Sequence, residues 1–172
     1  GTTPQGVDWN SPESQSLRFE QLLKVCGVQR TFSLNDYGCG YGALADFLRR
    51  RRRSFRYRGF DVSREMVRAA RRLHRGWPDC RFSDRRADLP PVDYAVASGI
   101  FNVRLDTPPA VWRRFVRETL NGLCGAVRHG FSVNFLAAVR PAGAVPELYR
   151  TTPAYWRRYC EQELGLEVEV LS

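Results

Sequence analysis

The sequence predicts an α/β fold: a doubly wound, mostly parallel sheet with helices on both faces. Three observations predict it. Short β-rich runs alternate with amphipathic runs of helical period, as in successive strand–helix–strand units. A turn of three alternate glycines, in "NDYGCGYGAL", joins the first strand-like run to a helical one. A later run, "DYAVASG", is apolar enough to be buried on both faces, as interior strands of a parallel sheet are.

The elements follow in order. After Pro12, the residues Phe19, Leu22, Leu23 and Cys26 recur at helical spacing up to Gly27, with Ser11 as the N-cap. "TFSLNDY" is the first strand, followed by the glycine turn and a helix carrying Leu44, Phe47 and Leu48. "FRYRGFDV" alternates apolar and basic residues as the second strand. Ser63 then caps a helix whose inner face is Met66, Val67, Ala70 and Leu73. "CRF" is the third strand and "DYAVASG" the fourth. Pro108 and Pro109 open a helix with Trp112, Phe115, Val116 and Leu120 inward. "GFSVNFL" is the fifth strand, "PAYWRRYCEQEL" a helix and "LEVEVL" a sixth strand. Residues 1–28 form an N-terminal helical segment and 29–172 the core of a single domain.

Composition bounds the function. At 172 residues, the chain suits one domain with a full core. It has no apolar run long enough to span a membrane, and "GTTPQG" lacks a secretory pattern. The five cysteines, Cys26, Cys39, Cys80, Cys124 and Cys160, are scattered without a C-x-x-C pair. Reduced thiols in a cytoplasmic protein are the expectation. Two isolated histidines, His74 and His129, give no metal site. His74 lies late in a helix and is expected at the surface; His129 opens the fifth strand, at the end opposite the ligand. The net charge of +9 rests almost wholly on arginine, so a solvated surface is the plain reading and nucleic acid the sharper one.

A glycine turn between a first strand and its helix, with an acid closing the second strand, is a nucleotide-binding arrangement. Gly38 and Gly40 let backbone approach a ligand without a Cβ in the way. Asp61 sits where a carboxylate can take both ribose hydroxyls. Spacing does not separate two cofactors, because Gly38, Gly40 and Ala43 also satisfy the dinucleotide pattern G-x-G-x-x-[GA]. Asp36, at the tip of the first strand, does: it would repel a pyrophosphate and attract an ammonium and a sulfonium. A turn that binds nothing is the bland alternative.

"NDYGCGYGAL" resembles the first motif of class I S-adenosylmethionine-dependent methyltransferases, with Tyr37 bulkier than the usual aliphatic residue. "YRGFDVSREMVRAARR" resembles the second motif of that Rossmann-like family. The resemblance implies Asp61 as the ribose acid, and Val62 and Met66 beside the adenine. It further implies that Ser83 and Asp84 hold the adenine amino group, and that Ser98 and Gly99 of "DYAVASGIFN" line the methionine end. Gln15 and Arg18 share one face of the leading helix, and by resemblance Arg18 binds the cofactor carboxylate. The likeness runs over about residues 15 to 172. It implies S-adenosyl-L-methionine as cofactor and S-adenosyl-L-homocysteine as product. The family's seventh strand is missing because the sequence stops at Ser172, so either the natural chain continues or another chain supplies that strand.

The acceptor side is less legible. Methyl transfer needs alignment and, for a protonated acceptor, somewhere for the proton to go. Asn102, in "SGIFNVRLD", is a candidate for orienting an acceptor hydroxyl or amine; a loop asparagine satisfying its own turn is the commoner role. Asn134 and Phe135 lie nearer the site than His129, and Tyr149, Tyr155 and Trp156 are candidate pocket walls. Trp9 is a candidate cofactor cover or a hydrophobic staple. The run Arg49 to Arg53 lies where the helix has run away from the cofactor edge, which leaves at most a remote phosphate anchor. The resulting reading is a methyltransferase with a small-molecule acceptor. Its rivals are an RNA or protein methyltransferase using the arginine-rich surface, and a non-catalytic nucleotide- or NAD-binding module.

Overall fold

The computed structural model describes residues 11–29, 31–51, 54–138 and 147–171. Trp9, Arg52, Arg53 and Ser172 lie outside them. The chain divides into two compact units, Gly1–Ser98 with Ala126–Val133, and Gly99–Gly125 with Asn134–Ser172.

The first unit opens with α1 (Pro12–Leu22), which tightens into a 3-10 turn over Leu23–Cys26 and stops at Gly27, φ +53°. Ser11 caps it: the Ser14 amide donates to Ser11 Oγ at 3.1 Å, which satisfies one of the orphan donors of the first turn. Five strands follow: β1 (Thr31–Tyr37), β2 (Ser54–Phe60), β3 (Cys80–Ser83), β4 (Val92–Ala97) and β5 (Val127–Val133). All pair in parallel in the order β3-β2-β1-β4-β5. The chain winds outward from β1 through β2 to β3, then returns to the other side of β1. That reversal creates a switch point between β1 and β4, where ligands of open parallel sheets bind at the strands' carboxyl ends. The predicted α/β class and its parallel sheet flanked by helices are what the chain forms.

The helices α2 (Ala43–Arg50) and α3 (Arg64–Leu73) join β1 to β2 and β2 to β3. Leu44, Leu48, Val67 and Ala70 meet Leu34, Tyr57 and Phe82 in one core cluster. Leu34, Leu44 and Leu48 are essentially fully buried, each contributing about 1.5–3 kcal/mol. Ser63 caps α3 as expected, accepting from the Met66 amide. The inner face of α3 is not the expected one: Leu73 is exposed, and His74 is buried. The helix ends at Leu73, and His74 continues the Val67–Ala70 stripe at its C-cap. There its ring stacks on Phe82 at 5.0 Å and sets Nε2 3.2 Å from the Tyr41 carbonyl.

The second unit holds α4 (Pro109–Ala126), β6 (Leu136–Ala137), β7 (Arg150–Thr151) and α5 (Pro153–Glu163). Val116, Thr119, Leu120 and Leu123 are the buried stripe of α4; Phe115, expected inward, is exposed. β6 and β7 form a short parallel pair absent from the sequence reading. The fifth strand begins at Val127, three residues before the expected Gly130, and ends at Val133. "LEVEVL" forms no regular element rather than a sixth strand. Its alternation is real, but a strand is defined by a partner's N–H and C=O groups, which periodicity does not report. Among the described residues no helix is long and apolar enough to cross a membrane.

Candidate active site

The exits of β1 and β2 meet because those strands pair in register, Asp36 opposite Gly59 and Tyr37 opposite Phe60. Gly38, Gly40 and Gly42 all take positive φ, +78°, +53° and +90°, which side chains rarely adopt. The Gly38 and Cys39 amides both donate to the Phe60 carbonyl, at 2.8 and 3.0 Å, so the turn is anchored to the end of β2. A Cβ on Gly42 would lie 2.5 Å from His74 Nε2, so the buried histidine and the glycine require each other.

Asp61 is the organising carboxylate. Its Oδ2 accepts from the Gly40 amide at 2.9 Å and its Oδ1 from the Ser63 amide at 2.8 Å. One side chain thus joins the glycine turn to the start of α3. Val62 beside it is 84% exposed, a large apolar surface in open solvent next to a carboxylate. Met66 is half-buried one turn on. At the end of β3 the Ser83 carbonyl accepts from the Asp61 amide at 3.2 Å, so these two strand ends are also tied. Ser83 Oγ is engaged by Asp88, and Asp84 pairs with Arg64 at 3.0 Å.

Asp36 is buried to 3% exposure, deeper than a freely hydrated charge would be. Strand alternation and register put it on the same face of the sheet as Tyr57, whose hydroxyl donates to Oδ2 at 2.5 Å. Burial pushes its carboxyl up to about 7, the Tyr57 bond opposes that, and the Asp61 charge adds to it. The electrostatic preference drawn from Asp36 is therefore conditional: near neutral pH the group is poised between its two forms. Tyr57 was missed at the sequence level, where it read only as an apolar member of β2. Its signal was there, since residues 57, 59 and 61 share one face. Cys39, inside the turn, has its thiol raised well above the ordinary range by burial, with the Asp36 and Asp61 charges adding. It packs rather than reacts.

Ser98, following β4, keeps a buried Oγ with no partner. Gln15 and Arg18 are partly buried on α1, and burial lowers the Arg18 pKa. A sulfonium nucleoside fits this donor set: a half-buried carboxylate with spare acceptor capacity at a strand exit, an apolar side chain beside it and an orphaned hydroxyl after β4.

In the second unit, Gly99 has φ +78° and its amide donates to Asn134 Oδ1 at 2.7 Å. Asn102 is held by its backbone: its amide donates to the Gly99 carbonyl at 3.1 Å and its carbonyl accepts from the Tyr149 amide at 2.8 Å. Asn102 Oδ1, Trp112 Nε1 and Trp156 Nε1 are buried without partners. Phe101, Phe135 and Trp156 stack in series, 5.0 Å apart at 12° and 5.5 Å at 2°. His129 is exposed near the start of β5, as placed from sequence. Within the arginine run, Arg49 covers the Trp77 ring at 3.7 Å, while Arg51 pairs with Glu20 and lies over Phe47. These two are occupied in packing.

Comparison with known proteins agrees with this geometry. The methyltransferase-domain family Methyltransf_12 matches residues 36–121, from Asp36 into α4. The curated protein "Putative methyltransferase Rv1506c" of Mycobacterium tuberculosis is 38% identical over 150 residues, covering 87% of this chain and 90% of its own. Among solved structures, the cyclopropane synthase MmaA2 from Mycobacterium tuberculosis superposes with a TM-score of 0.55 at 19% identity. The match covers 67% of this chain and 40% of MmaA2. Magnesium protoporphyrin IX methyltransferase ChlM from Synechocystis PCC 6803, solved with bound S-adenosylmethionine, gives 0.55 at 15% identity. That match covers 85% of this chain and 63% of ChlM. The chain therefore spans less than two-thirds of either structure's length, and at these identities the likeness is one of fold. With a glycine turn and Asp61 joined at the exits of adjacent parallel strands, and a relative of this identity and coverage, the chain belongs to the methyltransferase-domain family.

Proposed function

We propose that this chain is an S-adenosylmethionine-dependent methyltransferase acting on a small-molecule acceptor. The observation that carries the cofactor half is the Asp61 carboxylate, already hydrogen-bonded to Gly40 and Ser63 beside the exposed Val62. S-adenosylmethionine supplies an electrophilic methyl group on a sulfonium. Asp61 would offer the remaining acceptor sites of its carboxylate to the ribose hydroxyls. Val62 and Met66 take the adenine faces, with Ser83 and Asp84 at its amino edge. Gly38 and Gly40 clear the backbone for the methionyl part, and Ser98 Oγ takes its polar end. Gln15 and Arg18 close over its carboxylate from α1. Asp36 sits behind the turn, and a cationic ligand favours its ionised form.

The second unit, taken by itself, carries a candidate acceptor surface. Stacked Phe101, Phe135 and Trp156 with the unpartnered Asn102 Oδ1, Trp112 Nε1 and Trp156 Nε1 suit a compact, partly aromatic acceptor with a few polar atoms. Asn102 orients the acceptor's hydroxyl or amine. The five free cysteines suit a reducing, cytoplasmic setting.

The test is methyl transfer from labelled S-adenosylmethionine to a panel of small phenols, amines and carboxylates, beside total RNA and protein. Label in a small molecule supports the reading, and label confined to RNA or protein overturns the acceptor assignment.

A further inference from the structure

One row of side chains plays no part in the site above. The apolar–basic alternation of "SFRYRGF" becomes a two-faced strand: Tyr57 and Gly59 of β2, with Cys80 and Phe82 of β3, are buried against the core. The opposite face carries Arg56 and Arg81, both exposed, and Arg58, half-buried. Arg58 and Arg81 are direct register partners, so two guanidinium stems leave adjacent strands about 4.8 Å apart. Arg56 follows about 7 Å along β2.

Two features keep this face open. Parallel sheets are normally covered on both faces by crossover helices. The connection from β3 to β4 carries only a 3-10 turn, Arg86–Asp88, so no crossover helix is built there. The edge carbonyl of Phe82 is already taken by Arg71, whose Nε and Nη2 donate to it at 3.0 and 2.8 Å. This blocks strand addition at the edge while adding a fourth cation. A groove of about 270 Å³ runs along this margin, with Arg58, Arg71, Arg81, Ser83 and Asp88 in its lining.

The charges are not neutralised from within. Asp88 is used by Ser83 and Arg85, and the charge of Asp79, just before β3, reaches Arg58 but is outweighed by burial and by the charges of Arg81 and Arg56. Among the described residues, no ion pair takes up Arg56, Arg58 or Arg81. Arg58 makes one bond, donating to the Tyr57 carbonyl at 3.0 Å. Like charges directly opposite one another on a sheet are destabilising, so a partner that neutralises them is favoured.

We propose that this β2–β3 face binds the phosphodiester backbone of single-stranded RNA. The strand spacing of Arg56 and Arg58 matches the repeat at which phosphates follow one another along an extended single strand. Guanidinium groups meet phosphates bidentately. Phe60, half-buried at the carboxyl end of the same row, offers a ring for a base to stack on. The overall charge of +9 supplies the long-range attraction. The face lies at the β3 edge, with β1 between β2 and β4, so RNA seated there leaves the exit of β4 and Ser98 free.

The test is fluorescence anisotropy of a labelled oligouridylate from roughly 50 to 200 mM salt. Wild type is expected to bind with a linear log–log salt dependence. The triple variant Arg56→Ser, Arg58→Ser, Arg81→Ser is expected to bind about tenfold or more weakly at the low-salt end, with a slope shallower by about 2. A charge-matched control, Arg68→Ser, Arg72→Ser, Arg75→Ser, removes three exposed arginines of and just after α3. It is expected to keep the wild-type slope. Thermal unfolding followed by circular dichroism verifies that each variant is folded. Should the triple variant fail that check, Arg56→Ser and Arg81→Ser are measured singly, each expected to flatten the slope by about 0.7. Equal loss in the control, or no binding by wild type, overturns the proposal. Poly-glutamate that binds with the same dependence on the three arginines also overturns it, in favour of an acidic protein partner.

Discussion

The two units solve different problems with different materials. In the first, polar side chains are held by backbone at fixed points: Asp61 by two amides, Ser83 by its place in the ladder, the glycines by positive φ. In the second, there are an aromatic stack and side-chain polar atoms that are buried and unpartnered. A site fixed by backbone is suited to a ligand that does not vary, and a site of orphaned side-chain atoms is suited to one that supplies the missing bonds. The difference teaches why the residues proposed for the cofactor are legible from local sequence and the aromatic cluster is not.

The largest effect expected of any substitution is at the joint of the first unit. A Cβ on Gly59 would fall 2.7 Å from both Cys39 Sγ and Phe82 Cδ1. Gly59→Val is therefore expected to cost about 3 kcal/mol or more through overpacking, read as a lower denaturant midpoint or loss of soluble protein. An unchanged midpoint would mean the turn is not packed as described. Next is Asp61→Asn, which keeps size and removes charge. Loss of charge-assisted bonds to a ribose is worth about 1.5–3 kcal/mol, so S-adenosylhomocysteine affinity should fall by roughly 10- to 100-fold.

The second-unit counterparts sharpen the contrast. Asn102→Ala and Trp156→Phe are expected to lower acceptor turnover by about tenfold while cofactor affinity stays within twofold. If either variant weakened cofactor binding as much as Asp61→Asn, the proposed roles of Asn102 and Trp156 toward the acceptor would be wrong.

Asp36 makes the comparison depend on pH. Its folded pKa of about 7 lies above the ordinary 3.8, so the folded state holds the proton more tightly than the unfolded one. The Asp36 contribution to stability is then greatest below about pH 4, declines as pH rises to about 7, and is level above it, by at most on the order of 4 kcal/mol. Asp36→Asn should flatten that decline and leave the protein more stable at pH 8, as urea titrations across pH would show. Cofactor affinity should rise as pH passes 7 in wild type, because a cation favours the ionised acid. The smallest effect is Arg51→Ala, which loses an exposed pair with Glu20 and is expected to cost under about 1 kcal/mol.

The legible and illegible parts divide along the same line. β1 runs Thr31–Tyr37, as "TFSLNDY" implied, because a short apolar strand bounded by glycines leaves the chain few choices. The caps Ser11 and Ser63 were legible because capping is a bond within three residues. His74 was not, because its burial depends on Gly42 and Phe82, remote in sequence and adjacent only after folding. Tyr57 as partner of Asp36 needed the register of two strands. "LEVEVL" shows the converse, where local pattern was present and the partner strand was not. The aromatic stack of the second unit spans Phe101 to Trp156, contacts that local periodicity does not encode.

The most direct measurement is calorimetry of S-adenosylhomocysteine and of NAD with the wild type and with Asp61→Asn. Saturable binding of S-adenosylhomocysteine that weakens at least tenfold in the variant, with no comparable NAD binding, is the expected result. Tighter binding of NAD, or an affinity for S-adenosylhomocysteine unchanged by Asp61→Asn, would contradict the assignment of the glycine turn and its carboxylate as the methyl-donor site.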